Sequence, residues 1–285
     1  MNPTVTAPRP LLRKVRPPSG FAALDLRELW AYRDLLVTLA TRDVMLRYRQ
    51  TALGVAWVLL QPLVGAGLLA FVFGKVAGLD SGTGTNYFLL TFAGQLFFAL
   101  FSGILTKSSG SLVGNTGLVS KVYFPRLALP LSTIASSLLD FVVGFVVLVP
   151  LLFILGSGVG WGLLTLPLWL LLAALMAIGW GLICAALMVS YRDVAYILPV
   201  VVSFLNLGSP VGWQLSRVPR EWLTPYLLVN PMAILLEGFR WSVTGRGAYP
   251  LAPGFVLYAA LVAFGVFVGG ALVFRSLERR FADVI

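Results

Sequence analysis

Six long apolar runs constrain the fold of this chain more than any other feature. Each run is about 20 residues or longer, which as a helix is enough to cross about 30 Å of hydrocarbon. Backbone polar groups cannot be left unpaired in lipid, so continuous runs of this kind span as α-helices. The sequence therefore predicts an all-α integral membrane protein with six transmembrane helices, near residues 53–74, 86–106, 127–155, 163–189, 194–213 and 251–274.

The composition agrees with a polytopic membrane protein. Only 11% of the residues are charged and 59% are hydrophobic, whereas a soluble domain has about 25% charged residues. The net charge of +10 would fit a nucleic-acid-binding protein, but nine of the 21 Lys and Arg residues precede residue 50 and flank the first span. We therefore expect no nucleic-acid partner.

The junction at residues 41–62 predicts the orientation. Arg42, Arg47 and Arg49 are followed directly by an uncharged apolar run, and cations beside a first span are retained in the cytoplasm. With an even number of spans both termini are cytoplasmic, and sixteen of the 21 Lys and Arg residues then fall on cytoplasmic segments. We expect a multi-pass protein of the bacterial cytoplasmic (inner) membrane.

The chain divides into three parts. Residues 1–20 are rich in proline and basic residues and are expected to form a flexible cytoplasmic tail. Residues 21–50 are expected to contain an amphipathic helix in the membrane interface, with Trp30 and Tyr32 at headgroup depth. The same pattern would fit a helix packed on a cytoplasmic protein surface. Residues 51–285 form the six-span domain.

The polar loop at residues 107–126 predicts a short docking helix. Asn115 or Thr116 can cap it, and Pro125 is expected to end it. One side would be apolar and flanked by cations, which suggests contact with a protein partner. The apolar side comprises Leu118, Val119, Val122, Tyr123 and Phe124, and the cations are Lys121 and Arg126. The second cytoplasmic turn, Tyr191-Arg192-Asp193, is a tight connection between spans four and five.

The external segment at residues 211–250 predicts two short helices. Asn230-Pro231 is a start signal, an N-cap residue followed by proline at the first helical position. Gly245 would end this helix. Its apolar face comprises Met232, Leu235, Leu236, Phe239 and Val243, and its polar face comprises Glu237, Arg240 and Thr244. Helices this apolar are expected to re-enter or lie on the membrane.

Residues for catalysis are missing from the sequence. There is no histidine, the single cysteine is Cys184, and Gly74-Lys75 is followed by Val76, so no phosphate-binding loop exists. We expect no enzyme activity, no metal and no cofactor in this chain. Asp140, inside the third span, has no matching intramembrane lysine in this interpretation. We expect it to be hydrogen-bonded or to lie near a polar cavity.

Several motifs together resemble the membrane subunit of ABC-2 type exporters, and most closely the permeases that export O-antigen, capsule and teichoic acid. They occur in the order and spacing of that family over residues 25–285, while residues 1–20 lie outside the resemblance. The motifs are Arg42-Asp43, Arg47-Tyr48-Arg49-Gln50-Thr51, Leu53-Gly54, Trp57, Gln61-Pro62, Val122-Tyr123-Phe124-Pro125-Arg126, Tyr191-Arg192-Asp193, Asn230-Pro231-Met232 and the run from Glu278 to Asp283.

The resemblance implies a homodimer with two copies of a separate ATPase, which would hold ATP and Mg²⁺. It also implies a lipid-linked polysaccharide on an undecaprenyl diphosphate carrier. A coupling helix would match residues 115–126, and gate helices between spans five and six would match 216–244. The residues implied for ATPase coupling are Asn115, Leu118, Lys121, Val122, Tyr123, Phe124, Pro125, Arg126, Arg192 and Asp193, and those for the external gate are Trp222, Asn230, Pro231, Glu237 and Arg240.

Two further sets of residues are assigned with an alternative beside each. Arg42, Arg47 and Arg49 would meet the carrier's pyrophosphate where the substrate enters, or would only fix the orientation. Trp57, Tyr196 and Phe204 would line the glycan path because sugars stack on aromatic faces, or would only pack. An exporter of drugs or small lipids, a lipid-linked transferase and a non-transporting scaffold remain alternative functions.

Overall fold

The computed structural model describes residues 26–49, 55–79, 84–155, 160–245 and 252–284. These ranges contain helices and turns and no strand, which confirms the all-α prediction. The proposed tail at residues 1–20 and the junction at 50–54 lie outside them. The helices are α1 Leu26–Ala31, α2 Arg33–Arg49, α3 Val55–Leu69, α4 Tyr87–Gly110, α5 Thr116–Lys121, α6 Ala128–Ile154, α7 Leu166–Ser190, α8 Val194–Gly208, α9 Arg220–Val229, α10 Pro231–Thr244 and α11 Pro253–Val284.

Five of the six predicted spans are confirmed as helices long and apolar enough to cross a membrane. A π-helical stretch, Ala70–Val76, extends α3, and a 3₁₀ turn, Trp161–Thr165, extends α7. The five spans are Ala56–Val76, Tyr87–Gly110, Ala128–Ile154, Trp161–Ser190 and Pro253–Glu278.

The predicted fifth span, at 194–213, is instead the 15-residue helix α8, which is about 22 Å long and shorter than the hydrocarbon core. Ser209 has an extended backbone, as the residue before a proline prefers. The helix therefore ends at Gly208, before Pro210, although the hydropathy of the sequence continues beyond it.

Helix α4 lies at the centre of the bundle, where it contacts α3, α6, α7, α8 and α10. Its phenylalanines fill the core, and Phe97 stacks on Phe239 of α10 with a centroid distance of 4.7 Å. Glycines allow the closest helix approaches. A Cβ atom on Gly181 would meet Ser108, and one on Gly270 would meet the backbone of Gly179. Small residues at these positions therefore let the helices pack closely.

The N-terminal segment forms two helices rather than the single amphipathic helix predicted within residues 21–50. The break falls at Tyr32, and α2 continues to Arg49 and packs along α6. Leu29 and Leu39 are buried, whereas Trp30 is exposed. This segment therefore rests on the bundle through part of its apolar surface.

Candidate functional site

The loop between α4 and α6 contains the short helix that the sequence predicts. It begins at Thr116, with Asn115 at the cap position. The side chain of Asn115 does not cap the helix. Its Oδ1 accepts a hydrogen bond from Arg42 Nη2 at 2.9 Å, and its Nδ2 donates to the carbonyl of Ser111 at 2.8 Å. Asn115 thus links α5 to α2.

The end of α5 corrects part of the docking prediction. The helix ends at Lys121, because Val122 already has an extended backbone, so Pro125 does not end it. Residues before proline disfavour the helical conformation, and the chain turns so that Phe124 packs inside, 5% exposed, while Tyr123 is 76% exposed. A partner could contact Tyr123 but not Phe124.

The remaining coupling candidates fall into two groups. Pro125 is buried and Leu118 half-buried, whereas Lys121 and Val122 are exposed. Arg126 Nη1 donates to the carbonyl of Glu278 at 2.7 Å, which ties this loop to α11.

The turn at residues 191–193 is exposed at the same end of the bundle as α5. Tyr191, Arg192 and Asp193 are all accessible, and α7, which leads into the turn, contacts the 3₁₀ turn Val113–Asn115 that leads into α5. The two predicted coupling regions therefore share one end of the molecule.

Arg42 is the one candidate for the entrance whose side chain the structure describes. Besides Asn115, its guanidinium pairs with Asp43 at 3.0 Å, and its side chain remains 40% exposed. The backbone of Arg47 and Arg49 belongs to the last turns of α2, but their side chains lie outside the described part of the structure.

A central cavity of about 720 Å³ lies between α3, α4, α6 and α8. At one end Lys107 Nζ forms an ion pair with Asp140 Oδ2 at 3.0 Å and donates to Ser136 Oγ at 3.1 Å. The prediction that Asp140 has no matching lysine was wrong, because α4 extends to Gly110 and so includes Lys107. The expectation of a polar cavity near Asp140 is confirmed.

A second cavity of about 390 Å³ lies between α2, α4 and α6. Thr106 and Lys107 line both cavities. Asp43 and Asn115 line the second one, so it adjoins the contact between α2 and α5. The ion pair of Lys107 thus stands where the two cavities meet.

The three aromatic candidates for a glycan path do not line the central cavity. Trp57 on α3, and Tyr196 and Phe204 on α8, are exposed on the outside of the described structure. Their neighbours Val58 and Ser203 do line the cavity. The residues of these two helices that line the cavity include the polar side chains of Gln61, Ser203 and Asn206.

Sequence reasoning missed the polar lining of α4, although its spacing was visible. Gln95, Ser102 and Thr106 recur at intervals of seven and four residues and line the cavity together. Residues at such intervals share one face of a helix. This stripe in an otherwise apolar span is a signal that could have located the cavity.

The segment α9–α10 lies at the opposite end of the bundle from α5. Helix α10 begins at Pro231 and runs to Thr244. As predicted, Gly245 ends it, and the φ of this glycine is left-handed at +64°. Asn230 occupies the cap position but donates instead to the carbonyl of Gly208 and to Ser209 Oγ. Trp222, on α9, is exposed.

The polar face of α10 is buried, as its apolar face is. Glu237 and Arg240 are 1% and 3% exposed, because α10 packs between α4, α7 and α11 and both its faces are covered. Arg240 donates to the carbonyls of Val211 at 2.6 Å and Trp213 at 3.2 Å, and pairs with Glu237 at 3.8 Å.

The buried arginine of α10 remains cationic at neutral pH. Burial lowers the pKa of Arg240 to about 10, and the Glu237 carboxylate opposes that shift. Gly94 makes room for the guanidinium, since a Cβ atom there would lie 2.6 Å from Nη2. The phenol of Tyr87 donates to the carbonyl of Gly212 at 2.6 Å. The segment that follows α8 is therefore fixed by α4 and α10.

Known proteins match this chain along most of its length, including both ends of the bundle. Residues 34–244 match the ABC-2 type transporter family. The chain is 27% identical over 265 residues to the O-antigen export system permease protein RfbA of Myxococcus xanthus, which covers 91% of this chain and 98% of that protein. It is 25% identical over 256 residues to RfbA of Klebsiella pneumoniae, covering 88% and 95%.

A relative with a different named substrate matches a shorter stretch. The polysialic acid transport protein KpsM of Escherichia coli is 26% identical over 208 residues, covering 71% of this chain and 78% of that protein. The family match includes α5, both cavities and all of α10. This chain belongs to the ABC-2 type transporter family.

Proposed function

We propose that this chain is the transmembrane subunit of an ATP-driven exporter that moves a lipid-linked polysaccharide across the bacterial cytoplasmic membrane. The similarity to an O-antigen export permease along 91% of the chain carries this proposal. The relative named for polysialic acid points to the same class of cargo. A central cavity with amide and hydroxyl groups in its lining fits a glycan better than an apolar drug.

The topology in this proposal has six crossings with both termini in the cytoplasm. Helix α8 and the residues after it would complete the fifth crossing, although α8 alone has only 15 residues. The bias of Lys and Arg supports this orientation. Helices α1 and α2 would lie in the membrane interface, with the exposed Trp30 at headgroup depth.

Two copies of the chain would form the exporter with two copies of a separate ATPase. The sequence has no phosphate-binding loop, so ATP and Mg²⁺ would bind to the ATPase. Exposed apolar residues on α3 and α8, among them Val64 and Val201, form a surface suited to a second copy. Trp57, Tyr196 and Phe204 lie on the same two helices and would then line a path between the copies.

The two ends of the bundle would have different tasks. Arg42, with Arg47 and Arg49 on the same helix, would meet the carrier's pyrophosphate, because guanidinium groups bind phosphate oxygens in a bidentate manner. At the opposite end α9 and α10 would form the gate. There Asn230 and Arg240 hold the chain that follows α8, and Pro231 and Glu237 belong to α10 itself.

Replacement of Tyr123 by alanine is expected to weaken ATPase binding without affecting membrane insertion. Tyr123 is 76% exposed beside α5, so its removal takes contact area from a partner and nothing from the core. Co-purification of the ATPase with the tagged permease measures the effect. Trp161→Ala is the matched control, because Trp161 is also exposed but lies beyond the far end of α6. Equal recovery of the ATPase with both variants would contradict docking at Tyr123.

Deletion of the gene tests the function directly. If the chain exports polysaccharide, the polymer should accumulate in the cytoplasm on its lipid carrier and disappear from the cell surface. Surface and intracellular polymer can be compared by extraction and immunoblotting, with the plasmid-borne gene as the control for restoration. Unchanged surface polymer would reject the proposal and favour an exporter of drugs or small lipids, to be tested next by stimulation of the ATPase with such compounds.

A further inference from the structure

The central cavity has the size of a binding site. Its volume of about 720 Å³ falls within the range of about 300–1,000 Å³ typical of ligand sites. Four helices contribute to its wall, so a ligand there would contact segments that the chain brings together from far apart. Two of them, α3 and α8, also carry the exposed apolar surface described above.

Several uncharged side chains in the lining can donate or accept hydrogen bonds. Two of these groups lack a partner in the described structure: Ser137 Oγ, on a residue that is 1% exposed, and Gln95 Oε1. A buried polar atom without a partner destabilises the empty site, and a ligand with hydroxyl groups would offset that cost. The uncharged polar residues of the lining include Gln61, Gln95, Ser102, Ser137, Ser203 and Asn206.

The two charged residues that line the cavity, Lys107 and Asp140, have opposite charges. Lys107 and Asp140 are paired at 3.0 Å, and their side chains are only 25% and 19% exposed. An anionic ligand would have to compete with Asp140 for the ammonium group, and that exchange would leave the carboxylate half-buried without this cation. A neutral ligand leaves the pair intact. Phe98 and Phe141 add aromatic surface, against which the apolar faces of sugar rings can pack.

We propose that the central cavity binds uncharged sugar units of the transported polymer, and that the Lys107–Asp140 ion pair keeps the net charge of the site at zero. This inference rests on the proposed function. It adds where the permease binds the sugar units and that the site prefers uncharged ones. Gln61, Gln95, Ser203 and Asn206 exchange hydrogen bonds with sugar hydroxyls, and Ser137 Oγ gains its missing partner.

Charge balance provides the first test, in cells that make the native polymer. Asp140→Asn leaves the Lys107 ammonium in the site and should lower surface polymer by about tenfold or more, since Lys107 then loses the carboxylate that pairs with it at 3.0 Å. The double variant Lys107→Met/Asp140→Asn restores neutrality and should recover most of the export. Membrane levels of each variant and recovery of the ATPase are the controls. If the pair only joined α4 to α6, the loss of export by Asp140→Asn would follow the loss of permease from the membrane, and export per copy of permease would be unchanged.

The single cysteine of the chain permits a second test of occupancy. In a Cys184→Ser background, Asn206→Cys and Ser203→Cys place a thiol in the cavity, and Trp161→Cys places one on the exposed 3₁₀ turn before α7. Labelling with N-ethylmaleimide is compared between cells that make the polymer and cells blocked in its synthesis. Polymer should slow the labelling of the two cavity thiols several-fold and leave Trp161→Cys unchanged.

The outcomes separate this inference from the proposed function. If gene deletion abolishes surface polymer but neither cavity thiol is protected, the function stands and the cavity site is rejected. If Asp140→Asn leaves export unchanged or raises it, the site takes an anionic group, and the preference for neutral sugars is rejected. If gene deletion leaves surface polymer unchanged, the proposed function itself fails.

Discussion

Gly270→Ala should sharply reduce the amount of folded permease, because a methyl group at this position has no room. Its Cβ would meet the backbone carbonyl oxygen of Gly179, and would lie 2.9 Å from the carbonyl carbon and 3.0 Å from Cα. These are backbone atoms of α7, so no side-chain rotation can relieve the overlap. Overpacking costs about 1–3 kcal/mol, and more where the neighbours cannot move.

The close contact lies in the most extensively packed pair of described helices, α7 and α11. Separation of the two helices would also disturb Gly179, whose own Cβ would lie 2.6 Å from the backbone of Val266. We therefore expect a loss at the upper end of that range. The apparent Tm in detergent and the yield of monodisperse protein on size exclusion measure it.

Gly265→Ala is the matched control on the same helix. Gly265 is exposed, and a Cβ atom there would meet nothing within 4 Å. Alanine is a better helix former than glycine by about 1 kcal/mol, so this variant should be unchanged or slightly more stable. If Gly270→Ala melted together with Gly265→Ala, the close approach of α7 and α11 would be wrong.

Hydropathy predicted most of the architecture because membrane spans have a strong and simple signal. It located five spans, and it failed at α8, where Ser209 before Pro210 ends the helix inside an apolar run. Local backbone preference prevailed there over composition. The same limitation placed Lys107 in a loop, because the sequence could not show that α4 continues through a polar stretch to Gly110.

The candidate sites were predicted less completely than the spans, because tertiary packing decides what a side chain faces. The starts of α5 and α10 were predicted from Asn115 and from Asn230-Pro231. The structure has a helix beginning at each of these places. The burial of Phe124 was not predictable from the amphipathic pattern of α5. Lys107, the partner of Asp140, lies 33 residues away in sequence. The Val211 carbonyl that Arg240 binds lies 29 residues away, and both separations are beyond the range of local patterns.

Arg240→Met should destabilise the protein by about 3–5 kcal/mol, the usual cost of removing one partner from a buried ion pair. The change leaves the Glu237 carboxylate, which is 1% exposed, buried without this cation. It also removes the donor to the carbonyls of Val211 and Trp213, which holds the chain after α8 against α10. We expect a marked fall in apparent Tm and faster proteolysis within residues 209–219.

Two further variants identify the cause of the loss. Arg220→Met makes the same substitution at an exposed position of the neighbouring helix α9, and surface changes of this kind stay within about 0.5 kcal/mol. The double variant Glu237→Gln/Arg240→Met removes both charges and should recover part of the stability, since a neutral amide costs less to bury than a carboxylate that has lost this cation. The rest of the loss should persist because the two carbonyls still lack their donor. If the double variant were less stable than Arg240→Met, the Glu237 carboxylate would not depend on Arg240 for its charge partner.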